Sequence, residues 1–250
     1  MYYYLFDSQL ADRKYEPLLN RIEFRLIELG LNGRMDRLSV LKNMRDLIET
    51  AIKRGAETIV IVGNDAAVAK AVSIVAQYDV TLGIIPVGQP SRIAQALGLP
   101  EEEAACDALS KRIVRTIDLG RVNDQYFLFS LDVPAQVVTV ECDGLYRVSL
   151  TGLPRPFSIC NFGPREEVRA ACNPQDGVLE AVIDDRPSGW SWFRKGTSLE
   201  TVLPLKRAKI SSGGISIPLT LDGQTVVKTP VTVEVAPKKL RVIVGKGRQF

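Results

Sequence analysis

The 250-residue chain contains no histidine. That excludes Ser-His and Cys-His nucleophilic pairs and His-ligated metal sites. Acid–base chemistry is left to Asp, Glu, Lys, Tyr or Cys, and the metal such a chain suits best is Mg²⁺ held by carboxylates. Cysteine is sparse: Cys106, Cys142, Cys160 and Cys172 lie far apart with no Cys-x-x-Cys unit. The expectation is buried free thiols in a reducing compartment, not a disulfide framework. No apolar run is long enough to span a bilayer. The opening Met1-Tyr2-Tyr3-Tyr4-Leu5-Phe6-Asp7 lacks the basic start and apolar body of a signal peptide, so the expected location is the cytoplasm. A formal net charge of +3 is too small to point to nucleic acid, and no nucleic-acid partner is expected.

What is present is a chain of two halves. Residues 2–6 form a strand candidate. Residues 15–29 carry Leu18, Leu19, Ile22, Leu26 and Leu29 at helical spacing, with Gly30 as a C-cap. A second helix is expected over 39–53, with Leu41, Met44, Leu47, Ile48, Ala51 and Ile52 inward. A strand (58–62), a helix (66–77), a strand (82–86) and a short helix (92–97) follow. This βαβ order predicts a parallel sheet with helices on both faces. After about Asp118 the pattern becomes short apolar runs at 125–131, 135–142, 145–150, 178–183, 209–217, 225–227, 231–235 and 240–244. Asp143-Gly144 and Asp222-Gly223 read as hairpin turns. The predicted fold is an α/β domain over 1–120 and an all-β, sandwich-like domain over 121–250, whose last strand returns to the first domain.

Two segments of the first half share one pattern. Ile59-Val60-Ile61-Val62-Gly63-Asn64-Asp65-Ala66-Ala67 is a strand that ends in a small-residue turn and enters a helix. Gly83-Ile84-Ile85-Pro86-Val87-Gly88-Gln89-Pro90-Ser91-Arg92 repeats it. Turns of this kind are where α/β proteins hold phosphates. With Leu97-Gly98-Leu99-Pro100, Ile117-Asp118-Leu119-Gly120, Asp176-Gly177-Val178-Leu179-Glu180 and Leu221-Asp222-Gly223-Gln224, the chain resembles the diacylglycerol kinase catalytic-domain family. That family includes bacterial lipid kinases and sphingosine kinases and is distantly related to NAD kinases. The resemblance implies ATP and Mg²⁺ as cofactors and a lipid hydroxyl as acceptor. It places the nucleotide on Gly63, Asn64, Ala66, Ala67, Gly88, Gln89 and Ser91, catalysis at Asp65, Asp222 and Gln224, and a metal at Asp118.

The motifs are degraded. The family's Gly-Gly-Asp-Gly-Thr is Gly63-Asn64-Asp65-Ala66-Ala67 here, so a flexible glycine and a hydroxyl are gone. If Ala66 had to adopt positive φ, the cost would be about 1–2 kcal/mol. The family's Gly-Thr-Gly-Asn-Asp is Gly88-Gln89-Pro90-Ser91-Arg92; Pro90 removes an amide donor. At the position of the family's proposed general base stands Gln224, which takes no proton near neutral pH. A fourth loss is the family's Asn-Pro turn, replaced by Asp7-Ser8-Gln9-Leu10-Ala11-Asp12. Each residue also has a plain alternative. Asp65 caps the helix that follows it; Ser91 caps the next; Arg92 either reaches an anion or is solvated at a helix start; Asp222 is a turn residue; Asp118 and Asp176 are capping or turn acids. The tryptophans in residues 186–196 either face lipid or pack on the β core. The expectation is therefore a degenerate, weakly active or non-catalytic family member that binds a lipid or nucleotide. Peripheral membrane contact and homo-oligomer formation are compatible with it. The alternative is an active ATP-dependent lipid kinase.

Overall fold

The computed structural model describes residues 1–39, 42–149, 156–163, 172–184 and 200–250. The chain divides into two compact units, Met1–Ile117 with Lys238–Phe250, and Asp118–Pro237. It passes between them inside two strands, β5 (Val114–Val122) and β16 (Val231–Ile243).

In the first unit β1 (Tyr2–Phe6), β2 (Gly33–Arg37), β3 (Thr58–Gly63), β4 (Thr81–Pro86) and the end of β16 form a parallel sheet in the order β2-β1-β3-β4-β16. Every residue of β3 and β4 is buried, as expected for parallel strands covered on both faces. The helices are α1 (Glu16–Glu28), α2 (Met44–Lys53), α3 (Asp65–Val75), α4 (Arg92–Ala96) and α5 (Ala104–Lys111). Strand alternation sends Tyr4, Phe6, Val60, Val62 and Ile85 to one face, into a core with Leu19, Ile22 and Leu26 of α1 and Cys106 and Leu109 of α5. Helix α3 packs on β3 and β4 and touches α2.

Several boundaries differ from the sequence expectation. Single turns of 3₁₀ helix (Ser8–Ala11 and Arg13–Tyr15) precede α1. Helix α2 starts at Met44 because Asn43 caps it, its side chain accepting the Arg45 N–H at 2.9 Å; Leu41 lies outside the described residues. Strand β2 and helix α5 were not anticipated.

In the second unit the strands that follow β5 and precede β16 pair antiparallel among the described residues. One ladder runs β16-β13-β8-β9 through β13 (Arg207–Ser211), β8 (Thr139–Cys142) and β9 (Tyr146–Ser149); β5 pairs with β16 and with β6 (Gln125–Phe127). The other runs β12-β11-β10-β7-β14-β15, through Glu200–Leu205, Leu179–Asp184, Phe157–Cys160, Ser130–Val133, Pro218–Leu221 and Thr225–Lys228. Phe127, Leu131, Val140, Ile159, Leu179, Ile210, Leu219 and Val233 share one core. The fold class is the expected one, an α/β part with a parallel sheet and a second, all-β part. Both hairpin turns form, with positive φ at Asp143, Gly144, Asp222 and Gly223. The 125–131 run is two strands, β6 and β7, and the 231–235 and 240–244 runs are one, β16. Strands β10, β12 and β14 were not anticipated.

Candidate functional site

In the first unit three turns meet at the C-terminal edge of the parallel sheet, the edge where open α/β sheets bind ligands. They follow β1, β3 and β4. Asn64 joins all three: its Nδ2 donates to Gln9 Oε1 at 3.3 Å and to the Gln89 carbonyl at 3.5 Å, while its Oδ1 accepts the Ala67 N–H at 3.3 Å. Asn64 is thus the N-cap of α3. Ala66 and Ala67 are ordinary helical residues of α3, so the positive-φ penalty considered for Ala66 does not arise. Gly63 permits a close fit, since a Cβ there would lie 3.0 Å from Asp7 Cβ and 3.1 Å from Ala67 Cβ. Gly88 holds φ +82°. Gln89 and Ser91 are both drawn to Glu101, donating to its Oε1 at 3.0 and 2.8 Å.

Asp65 does not cap the helix it begins. Its carboxylate reaches across to α4, accepting the N–H of Arg92 at 2.9 Å and of Ile93 at 3.0 Å. The Asp65 N–H donates to the Pro90 carbonyl at 2.9 Å. Ser91 makes no side-chain cap bond. Arg92 does find an anion: its Nε lies 3.6 Å from Asp65 Oδ2. Asp65 is only 6% exposed. Burial pushes its carboxyl above the usual carboxylate range, against the two amides and the Arg92 charge, which pull it down.

In the second unit Asp222 sits at the β14–β15 turn and turns its carboxylate onto three amides, Leu128 at 2.7 Å, Phe129 at 2.7 Å and Ser130 at 3.1 Å. Burial pushes it up to about 6 even so. Gln224 is exposed on the same hairpin. Asp118 is buried; its Oδ2 accepts the Gly177 N–H at 2.8 Å and its N–H donates to the Pro174 carbonyl at 2.6 Å. Asp176 accepts the Val178 N–H at 3.0 Å, a local turn bond.

Two further residues are notable for surroundings that the sequence does not reveal. Asn161 is fully buried and donates to the Asp118 and Leu128 carbonyls at 3.0 and 2.9 Å. Glu180 lies opposite Cys160 across β10 and β11. Its Oε2 is buried with no hydrogen-bond partner among the described residues. Burial, with Asp176 nearby, pushes this carboxyl up to about 7, against a hydrogen bond from Cys172. A cross-strand register of this kind cannot be read from one strand alone. All four cysteines are free; three are buried and Cys172 is half-buried. The tryptophan-rich segment 186–196 lies outside the described residues.

The three aspartates do not gather into a cage for a divalent cation among the described residues. Mg²⁺ requires near-octahedral oxygen ligands at about 2.0–2.1 Å and keeps several waters. Asp65, Asp118 and Asp222 already serve backbone amides. Among the described residues no three Asp, Glu or Cys side chains converge to hold a metal ion.

Comparison with known proteins bears on this arrangement. A profile of the diacylglycerol kinase catalytic domain matches residues 7–122. A diacylglycerol kinase of Mycobacterium tuberculosis (strain ATCC 25618 / H37Rv) is 37% identical over 82 residues, 32% of this chain and 26% of that protein. A diacylglycerol kinase of Bacillus subtilis (strain 168) is 35% identical over a stretch covering 36% of this chain and 34% of that protein. The matches thus span about a third or less of these relatives' length. A crystal structure of a diacylglycerol kinase from Bacillus anthracis str. Sterne superposes with a TM-score of 0.78 at 16% identity, covering 98% of this chain and 97% of that one, which establishes the shared fold. Residues 7–122, with the Gly63 and Gly88 turns among them, thus match the diacylglycerol kinase catalytic domain, and the chain shares the fold of a solved diacylglycerol kinase.

Proposed function

We propose that this chain is a non-catalytic member of its family, one that binds a nucleotide or a lipid and has lost efficient phosphoryl transfer. The observation that carries this reading is the state of the candidate catalytic groups. Asp65 and Asp222 are committed to backbone amides, and Gln224 brings no base. Phosphoryl transfer depends on positioning and charge stabilisation, and each lost contact of that kind typically costs about 10²–10³ in rate. The nucleotide's phosphates would meet the Gly63 and Gly88 turns, where Asn64 and Gln89 supply neutral polar groups. Mg²⁺ does not suit the carboxylates present, and no step through it is derived.

The alternative, an active ATP-dependent lipid kinase, draws on the 37% identity to a curated diacylglycerol kinase. It requires Asp65 or Asp222 to leave its amides. Contact with a membrane would be peripheral, since among the described residues no helix is long and apolar enough to cross one.

Ligand-dependent thermal unfolding tests the binding reading. At ATP about 100 times its Kd, linkage gives about 2.7 kcal/mol of added stability. A rise in Tm with ATP, or with diacylglycerol in mixed micelles, is the expected outcome. A flat response to both sinks it.

A further inference from the structure

We propose that the Arg92 guanidinium takes the place beside Asp65 that a divalent cation would otherwise hold, so that this group of turns works without metal. Two observations carry the inference. First, the cation is built in: Arg92 Nε stands 3.6 Å from Asp65 Oδ2, and the residue's own N–H donates to the same oxygen at 2.9 Å. Arg92 therefore grips Asp65 through both its backbone and its side chain. Second, the site offers a metal little to hold. The other Asp65 oxygen takes the Ile93 N–H at 3.0 Å. A fixed guanidinium at this range repels an incoming divalent ion and favours the ionised carboxylate without one.

The neighbouring acids do not change the picture. The Asp7 carboxylate accepts the Ser8 hydroxyl at 3.2 Å. Glu101 is exposed and holds Gln89 and Ser91. Position 67 is an alanine and adds no ligand oxygen.

For a bound nucleotide, which rests on the function proposed above, the consequence is direct. Its phosphates would meet a cation already fixed in the protein, and metal-free ATP would bind at least as well as its Mg²⁺ complex.

Mn²⁺, a paramagnetic stand-in for Mg²⁺, tests the metal inference on the full chain. Titration followed by electron paramagnetic resonance is expected to show no stoichiometric Mn²⁺ binding to the wild type up to millimolar concentration. Arg92→Asp, which removes the guanidinium and adds a carboxylate, is expected to bind Mn²⁺ about tenfold more tightly or better, the scale of a single charge contact. Arg92→Ala checks the same point where the Asp variant folds poorly. A wild-type Mn²⁺ site that Asp65→Asn abolishes overturns the proposal. Thermal unfolding with ATP in EDTA, and with ATP plus Mg²⁺, supplies the second readout. An equal or larger shift in EDTA supports the proposal, and a shift that requires Mg²⁺ overturns it. No shift in either condition counts against nucleotide binding, and the Mn²⁺ titration still decides the question of metal.

Discussion

Glu180 shows what a single half-buried carboxylate does in this protein. Among the described residues one of its oxygens is buried with no hydrogen-bond partner, and burial pushes the group up to about 7. A raised carboxyl binds its proton more tightly in the folded state than in the unfolded one. Stability from this group is therefore full below about pH 4.5 and is lost as pH rises through about 7. Asp222, raised to about 6, pulls in the same direction over a lower window. Glu180→Gln removes the charging cost. Urea unfolding is expected to find the variant more stable than wild type at pH 8, with the gain shrinking toward pH 4.5. A gain of the same size at both pH values would assign it to packing instead. At this scale the sequence said least. It marked Asp65 and Asp222 as residues of interest but not their partners. Asp65 binds amides 27 and 28 residues away, and Asp222 amides 92 to 94 residues away. Such pairings are made by the fold and have no local signature.

The joint between β3 and α3 is the element on which the first turn depends. Gly63 ends the strand, Asn64 caps the helix, and Asp65 ties that helix to α4. Gly63→Ala would place a methyl 3.0 Å from Asp7 Cβ and 3.1 Å from Ala67 Cβ, contacts tight enough that a neighbour must give by a few tenths of an ångström. Crowding of this kind costs about 1–3 kcal/mol. Denaturant unfolding should show that loss, and pairing the change with Ala67→Gly should recover part of it. Elements with a strong hydrophobic pattern were legible. Strands β3 and β4 and helices α1 and α3 fall within two residues of their expected ends, because β-branched runs and helical spacing fix them. Strand β2, Gly-Arg-Met-Asp-Arg, carries no such pattern because it is an edge strand with exposed side chains. Helix α2 was placed too early because its apolar spacing extends upstream of the Asn43 cap that starts it.

For the molecule as a whole, fold is shown and chemistry is proposed. The architecture matches a solved diacylglycerol kinase at a TM-score of 0.78 with 16% identity, so the fold is shared while most residues differ. The family profile covers residues 7–122, largely the first unit. Antiparallel strands of the second unit such as β7 and β8 alternate buried and half-exposed residues, a pattern many sequences satisfy. Fold class was therefore legible from the order of elements. The surroundings of Asp65 and Asp222 were not, since an Asp in a motif reads the same whether it meets a ligand or accepts backbone amides. The most direct measurement is transfer of label from γ-phosphate-labelled ATP to diacylglycerol in vesicles, with Mg²⁺ present. If Asp65 and Asp222 serve structure, the lipid carries no label above a protein-free control. Label that accumulates with the wild-type chain and disappears with Asp65→Asn or Gln224→Ala would show that these residues still carry out the reaction.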